Sequence, residues 1–292
     1  MRGTTTRGGY SETAMLENQA GAAARSLGYS EIITYSFVSP ASFDAVRIPK
    51  DSPLRKTLKL VNPLGEDTSI MRTVILPSML DILSRNYAMK NKGVKLYELG
   101  RVYLPVDGQD LPEEPRHLIF GTYGEHETFF TMKGEIDALL QLLNVKPAEY
   151  VANRENPSYH PGRCADILID GKLAGTIGQI HPLVAEAYGI GGEVYVADLD
   201  FTTIEASLAE ERVFHSLPRF PAVTRDLALV CDESLTVGEL ERCISAAAGK
   251  LLRKINLFDI YRGPGVAAGK KSVAFSLELR ADDRTLTDED ST

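Results

Sequence analysis

Apolar residues recur along this chain with two periods, three to four residues in some segments and two in others. In residues 13–27, Leu16, Ala24 and Leu27 lie on one helical face, and Gly28 ends the helix because glycine readily adopts the left-handed cap conformation. The same period, with cap residues at suitable ends, occurs three more times. The predicted helices are residues 13–27, residues 77–91, a helix capped by Thr131 that ends at Asn144, and residues 236–248, which the capping box of Thr236 and Glu239 opens.

A period of two residues marks the predicted strands. In residues 31–39, Ile33, Tyr35 and Phe37 alternate with other side chains as in a half-buried strand. Asp170-Gly171 lies between two apolar runs and predicts a two-residue hairpin turn. The last strand but one does not alternate cleanly, which indicates a β-bulge. The predicted strands are residues 31–39, 57–61, 94–104, 118–123, 165–169, 173–180, 225–231, 251–262 and 271–281.

The order of these elements divides the chain into two modules. Before residue 205 the strands come in hairpins and short runs, which favours a largely antiparallel sheet backed by helices. A charged stretch followed by Pro218 and Pro221 marks a linker, which we place at residues 206–216. After the linker the order is β-α-β-β, and a split β-α-β fold needs one further helix and strand. We therefore expect the second module, residues 217–292, to be incomplete at its C-terminal end.

Composition and charge narrow the class of protein. With 43% hydrophobic and 25% charged residues among 292, this is a globular chain. It has neither an uncharged apolar run of about 20 residues nor a signal sequence, so we predict a cytosolic chain without membrane contact. The net charge of −8 argues against broad nucleic-acid binding, but residues 212–284 carry 12 Lys or Arg against 9 Asp or Glu and form a mildly basic module.

Several groups of residues are candidates for chemistry, and for each we favour a structural interpretation. His160, Cys164 and His181, with Asp166, suggest a metal site or a Cys/His nucleophile, but both histidines precede prolines and no third ligand has suitable spacing. The glycines of residues 263–269 join two strands, so a flexible hairpin loop is favoured over a phosphate-binding loop. The three cysteines lack metal or redox spacing and are interpreted as free thiols: Cys164, Cys231 and Cys243. The C-terminal acidic run is interpreted as a solvated helix start rather than a cation site: Asp282, Asp283, Asp288, Glu289 and Asp290.

Nine sequence segments, taken in their order along the chain, can be compared with those of known protein families. They are ITYSFVSP (33–40), NPLGEDTSIMRT (62–73), LYELGRVY (96–103), MKGEIDALL (132–140), HPGRCADI (160–167), GQIHP (178–182), LPRFPAVTRDLALVCDE (217–233), LFDIYRG (257–263) and GKKSVAFSLELRADDRTLTDED (269–290). In the same order, these segments resemble the C-terminal half of bacterial phenylalanyl-tRNA synthetase β subunits. The resemblance extends from residue 10 to residue 290.

The resemblance implies an α+β fold in two parts. A class II synthetase-like, non-catalytic core with an antiparallel sheet and helices occupies residues 1–205, and a truncated ferredoxin-like β-α-β-β anticodon-binding domain follows the linker. It further implies a β-subunit portion of phenylalanine-tRNA ligase, which assembles with an α subunit into an α2β2 enzyme and binds phenylalanine tRNA. The whole enzyme uses ATP and magnesium, and we expect this chain itself to bind no cofactor.

The core departs from a working synthetase in the residues that bind ATP. No Arg-x-Glu pair follows residues 96–103, and no Gly-rich strand ends in an arginine that leads into a helix. Without these guanidinium groups nothing neutralises the triphosphate, so we predict no catalytic residue and no metal ligand. The family's editing domain lies upstream of this chain, and editing is not predicted. The alternative function is an independent enzyme or RNA-processing module that reuses the fold.

Positive charge in the second module supplies the candidate tRNA contacts. We expect these side chains near strand ends and the hairpin loop, with Arg280 on an open sheet face. Binding by this module is predicted to be weak, to fall as salt rises, and to depend on Lys270 and Lys271 if the loop contacts phosphate. The candidate tRNA-binding residues are Arg219, Arg225, Lys250, Arg253, Lys254, Arg262, Lys270, Lys271 and Arg280.

Overall fold

The computed structural model describes residues 8–210, 214 and 216–287 of the chain. The chain divides into two units, residues 1–212 and residues 213–292, and each is described by itself. Among the described residues, no helix combines the length and the apolar character that crossing a bilayer requires.

The first unit is built on a seven-stranded sheet with the strand order β1-β4-β5-β9-β8-β7-β6. The edge strand β1 runs parallel to its neighbour β4, and every other neighbouring pair is antiparallel. Two further short strands, β2 and β3, pair outside this sheet. The strands are β1 (Ser30–Glu31), β2 (Phe37–Val38), β3 (Ile70–Met71), β4 (Val94–Arg101), β5 (Arg116–Tyr123), β6 (Ala148–Ala152), β7 (Tyr159–Ile169), β8 (Lys172–Ile180) and β9 (Tyr195–Asp200).

Helices of the first unit lie on both faces of the sheet. On one face α1, α4 and α6 bury Leu16, Ile136 and Ile204 in a large apolar core. On the other face α3 and α5 bury Met79 and Val184 in a second core, which leaves part of that face uncovered. The helices are α1 (Glu12–Ser26), α2 (Ser42–Ala45), α3 (Leu76–Ala88), α4 (Phe129–Leu142), α5 (Pro182–Ala187) and α6 (Phe201–Ala206).

Two chain reversals in this unit behave as the sequence predicts. Gly28 follows α1 with φ +90°, the left-handed conformation that glycine adopts without steric cost. Asp170 and Gly171 have φ values of +51° and +73° and join β7 to β8 as a two-residue hairpin.

The predicted cap of α4 is wrong by three residues. The helix is capped by Thr128, whose hydroxyl accepts a hydrogen bond from the backbone N–H of Thr131 at 3.1 Å. The Thr131 hydroxyl in turn accepts from the backbone N–H of Thr128 at 2.8 Å, so the two residues form a capping box. The sequence analysis assigned the cap to Thr131, which is the second member of this box.

Two predicted strands of the first unit are largely irregular. Residues 31–39 form only the end of β1 and the two residues of β2, with Ile33 and Tyr35 90% and 80% exposed between them. Residues 57–61 make a single antiparallel bridge, Lys59 to Ile70. Alternation alone did not show which face of the segment is covered, and here the apolar face is the open one.

The second unit has the predicted β-α-β-β order. Its elements are β10 (Val223–Asp232), α7 (Val237–Ala248), β11 (Leu252–Tyr261) and β12 (Lys270–Leu279), with the strands antiparallel in the order β10-β12-β11. Thr236 and Glu239 form the capping box of α7 as predicted. The predicted irregularity of the third segment is confirmed by register shifts in β11 between Leu252 and Lys254 and between Leu257 and Asp259.

The two faces of this small sheet differ in character. Val273, Phe275 and Leu277 of β12 are buried, and α7 packs Ile244 against this face. Alternate residues of the same strand are only half-buried and face away from the helix. The second unit therefore presents one open sheet face, as residue alternation in a strand requires.

Candidate functional site

A row of mainly polar residues crosses the face of the first sheet on which α3 and α5 lie, from buried Glu98 and Ile119 to partly exposed Asp166. Glu98, Ile119, Asp198, Thr176 and Asp166 are partners in successive strands, so they lie side by side on one face. Three of the five are acidic. The sequence analysis missed this row because its members come from five distant strands, and only the register brings them together.

The middle residue of this row, Asp198, forms a histidine–carboxylate pair. His117 Nδ1 lies 2.7 Å from a carboxylate oxygen of Asp198, and both side chains are about three-quarters buried. Burial lowers the pKa of His117, but the carboxylates of Asp198 and Asp200 outweigh that effect and raise its pKa above the ordinary value. The two carboxylates therefore stabilise the charged imidazolium form of His117.

The β4 end of the row, at Glu98, holds a buried ion pair. Arg72 is 2% exposed, and its guanidinium lies 3.1 Å from the Glu98 carboxylate. Thr34 completes the network, because its hydroxyl donates to Glu98 at 2.7 Å and accepts from Arg72 at 2.7 Å. Arg72 also donates to the carbonyl of Arg101 at 2.8 Å. This arginine is fully engaged with protein groups and does not present its charge to a ligand.

The remainder of this sheet face is filled by α3. A methyl group on Gly121 of β5 would approach Met79 to 2.7 Å and Leu83 to 2.9 Å, closer than packed atoms come. The helix therefore lies directly on this part of the sheet, next to the row with three carboxylates.

Of the histidine and cysteine candidates, His181 lies at the N-cap of α5, outside regular structure as predicted, whereas His160 and Cys164 lie in β7, where the register of the strand is irregular. His160 Nδ1 accepts from the backbone N–H of Gly162 at 3.0 Å, and His181 Nδ1 accepts from Leu183 at 3.1 Å. Burial raises the pKa of the Cys164 thiol to about 12, so it stays protonated at neutral pH and is no nucleophile. Within the described ranges, no group of three or more His, Cys, Asp or Glu side chains has the geometry of a metal site.

The other two candidates also have local structural roles. In the glycine loop, Gly265 and Gly269 have φ values of +96° and +77°, which a tight connection between β11 and β12 requires. Of the C-terminal acidic run, Asp282 and Asp283 are exposed, and Asp288, Glu289 and Asp290 lie outside the described residues.

Three of the predicted basic residues lie at the end of the second sheet where β11 leads into β12. Arg262 forms a two-pronged ion pair with Glu233, with a shortest distance of 2.6 Å, and Lys270 lies 3.0 Å from Asp232. Lys271 is 6% exposed and donates to the backbone carbonyl of Glu233 at 3.0 Å. Carboxylates therefore accompany the positive charge at this end, and Lys271 is buried away from any partner molecule.

Other predicted residues lie at the opposite end of the same sheet, about 30 Å away along a ten-residue strand. Arg253 is 2.6 Å from Asp282, and Arg280 is 3.8 Å from Glu278. Lys254 is also at this end, opposite Glu278 in the register. The nine basic residues thus do not form one cluster, and the structure distributes most of them between two ends of the sheet.

The basic side chains without carboxylate partners lie at this second end of the sheet and in the segment that precedes β10. Lys250 and Lys254 are exposed and make no ion pair with the described residues, and the same holds for Arg219 before β10. Arg225 is exposed on β10 but has an interaction of its own. Arg219, Lys250 and Lys254 are therefore the most available cations of the set, and Lys250 and Lys254 lie together at the second end of the sheet.

Two aromatic side chains border the open face of the second sheet. Tyr261 pairs with Ser272, on the face that turns away from α7, and is 44% exposed. Phe258 is the extra residue of the bulge and is 56% exposed. Between the strands this face carries small residues, since Ala228 pairs with Ala274. A shallow face with aromatic groups at its border is suited to flat, unpaired bases.

Comparison with known proteins agrees with this architecture. The family described as "Phenylalanyl tRNA synthetase beta chain CLM domain" matches residues 1–201, and the "Ferredoxin-fold anticodon binding domain" matches residues 218–292. A phenylalanine–tRNA ligase beta subunit of Clostridium acetobutylicum is 42% identical over 91% of this chain and 34% of its own length. The corresponding subunit of Bacillus subtilis is 38% identical over 91% of this chain and 34% of its own length. The chain thus spans about a third of these curated relatives.

A solved structure shares the fold. Pyrrolysyl-tRNA synthetase from Desulfitobacterium hafniense superposes with a TM-score of 0.55 at 14% identity, over 66% of this chain and 68% of that one. A synthetase-like sheet followed by an anticodon-binding module defines a tRNA synthetase chain. Because the family model covers residues 1–201, the chain belongs to the phenylalanyl-tRNA synthetase beta chain family.

Proposed function

We propose that this chain is the part of a phenylalanine-tRNA ligase β subunit that assembles with the α subunit and binds the anticodon stem of phenylalanine tRNA. The observation that carries the proposal is the order of the two matched modules, a synthetase-like core and then an anticodon-binding domain. In an α2β2 enzyme, the α subunits would charge the tRNA with phenylalanine, using ATP and magnesium. The domains are the core at residues 1–205, the linker at 206–216 and the anticodon-binding domain at 217–292.

The core acts as a scaffold and not as a catalyst. The acidic row on its sheet face, the occupied Arg72 and the close packing at Gly121 all support this assignment. ATP and magnesium belong to the whole enzyme, and no residue of this chain is assigned to either. The match of both modules to one family counts against the alternative of an independent enzyme or RNA-processing module.

The second unit supplies the RNA contacts through its basic residues. We retain all nine candidates as proposed RNA contacts. We order them by their exposure and by whether a carboxylate already pairs with them. Lys250 and Lys254 are exposed without carboxylate partners among the described residues, whereas Arg262 and Lys270 each have one. An unpaired lysine contributes its full charge to a phosphate contact, while a paired one must first lose its protein partner.

The test compares the two ends of the sheet in the assembled enzyme. Replacing both Lys250 and Lys254 with Ala should weaken the binding of phenylalanine tRNA and reduce the slope of log K against log salt by about 1 to 2. Lys270→Ala is the matched control, because its charge is already paired with Asp232. Binding is measured by fluorescence anisotropy over a range of KCl concentrations. A normal slope in the double variant and a reduced one in Lys270→Ala would place the contact at the loop instead.

A further inference from the structure

Three chain segments of the first unit form a small ribbon beside the main sheet. Phe37 pairs with Met71 and Val38 with Ile70, while the segment around Lys59 joins the other edge of β3. The backbone N–H of Met71 donates to Leu58 and that of Leu60 donates to Ser69 (both 2.9 Å). Residues paired across strands share a face, so Val38 and Ile70 point inward to the core.

The opposite face of this ribbon is apolar and uncovered among the described residues. Ile33, Val61 and Leu64 are 90%, 93% and 96% exposed, and Tyr35 is 80% exposed. Eight residues make up this face, and none of them is charged. We name them the outer ribbon face: Ile33, Tyr35, Phe37, Leu58, Leu60, Val61, Leu64 and Met71.

Hydrogen bonds on the inner side of the ribbon fix the position of the outer ribbon face. Thr34 is bound to the buried pair of Arg72 and Glu98, and the carbonyl of Ser36 accepts from the backbone N–H of Arg72 at 2.9 Å. These inward contacts alternate with the outward side chains of Ile33, Tyr35 and Phe37. The exposed apolar groups are therefore preorganised, which reduces the entropy lost when a partner binds.

The size of this surface fits a subunit interface. Five of its eight apolar side chains are at least 40% exposed, and each partner buries about 800 Å² in an interface of standard size. The largest apolar patch of an ordinary monomer is roughly 300–600 Å². Contacts between domains of one chain are more polar than contacts between permanently associated subunits. The same segments also expose Lys59 and Glu66, but the face itself is apolar and therefore favours a separate, permanently bound subunit.

We propose that the outer ribbon face is the surface on which the ligase α subunit docks, through an apolar surface of its own. This inference rests on the proposed function and adds the residues that make the contact. A second copy of this chain and the remainder of the β polypeptide are the other possible occupants, and the experiment distinguishes them.

The experiment uses the complete β polypeptide that contains this chain, with its α subunit. In Ile33→Asp/Leu64→Asp, two charges would be buried in the contact, so the Kd for the α subunit should rise at least 100-fold, as for interface positions with large effects. Phe130→Asp/Leu173→Asp, at positions 77% and 58% exposed outside the ribbon, is the control and should bind like the wild type. Analytical ultracentrifugation measures assembly, and thermal unfolding checks that both variants fold.

Each outcome has a distinct meaning. Assembly of the wild type and failure of Ile33→Asp/Leu64→Asp alone supports the proposal. Equal affinity of the two double variants overturns it and leaves the proposed function standing, whereas a wild-type chain that binds no α subunit contradicts the proposed function itself. If the wild type self-associates and Ile33→Asp/Leu64→Asp abolishes this without changing α binding, a second copy is the occupant and the proposal fails. If the variant unfolds early and the control does not, the face is covered by its own chain, and the proposal fails as well.

Discussion

At the scale of single residues, the buried pair of Arg72 and Glu98 is the feature with the largest energetic consequence. The two side chains are 2% and 4% exposed, and Thr34 and the carbonyl of Arg101 complete their hydrogen bonds. Removing two charges from water is costly, so a buried pair need not add net stability. Removing one partner leaves the other charge buried and alone, which is far more costly.

Glu98→Gln should therefore lower the free energy of unfolding of the first unit by about 3 kcal/mol or more. The control is Glu193→Gln, which breaks a pair with Arg163 whose members are about half exposed, and which should cost less than about 1 kcal/mol. Urea denaturation followed by circular dichroism measures both values. Similar losses in the two variants would show that burial of the Arg72 charge has no special cost.

At the scale of elements, α7 shows how well a local signal can specify a structure. Thr236 and Glu239 satisfy each other's backbone N–H groups, with distances of 3.3 Å and 2.7 Å. The backbone N–H and the hydroxyl of Thr236 both donate to the Glu239 carboxylate, at 2.7 and 2.8 Å, and lower the pKa of Glu239 below its ordinary value of 4.5. A lowered pKa in the folded state means that the stabilisation is present above the ordinary pKa and is lost as pH falls through the folded one.

Thr236→Ala should destabilise the second unit by about 1 kcal/mol, because an N–H group at the start of α7 loses its partner. Ser245→Ala, at an exposed position inside the same helix, is the control and should not destabilise it. Hydrogen exchange of the α7 amides reports the difference. Equal protection of these amides in the two variants would contradict a stabilising role for the cap.

Sequence reasoning succeeded where the signal was local. The capping box at Thr236, the turn at Asp170 and the bulge in β11 each depend on a few neighbouring residues, and the structure confirms them. It failed for residues 31–39, where the alternation is present but the apolar side chains face outward. Which face of an alternating segment is covered depends on distant parts of the chain, here on Arg72 and Glu98.

The same distinction between local and long-range signals applies to the candidate sites. The proline after His181 correctly indicated a break before α5, because the effect of proline is local, whereas His160 and its proline lie in the irregular first part of β7. The acidic row could not be predicted, since it depends on the register of five strands. The basic residues of the second module were identified as a group, but charge counts do not show that Lys271 is buried or that Arg262 is paired.

At the scale of the whole molecule, the first unit shares its fold with a solved tRNA synthetase, and one face of its sheet carries a row with three carboxylates. Asp198 and Asp166 belong to this row, and Arg72 is engaged with Glu98. Carboxylates repel phosphate oxygens and do not stabilise the negative charge that develops in the transition state.

The complete β polypeptide without its α subunit should therefore show no phenylalanine-dependent exchange of pyrophosphate into ATP. The assembled enzyme is the positive control, and it should retain its exchange activity in Asp198→Asn, since this side chain contacts no substrate in the proposed function. Exchange by the isolated polypeptide above the blank would show that the core activates phenylalanine.

The outer ribbon face also bears on how such a protein is produced in a cell. A chain with this much uncovered apolar surface is prone to self-association until its partner arrives, and quality-control proteases act on exposed chains of this kind. Synthesis of the two subunits in matched amounts, close together in time and space, shortens that interval. The surface that permits assembly thereby makes an excess of one subunit costly to the cell, which favours linked expression of the two genes.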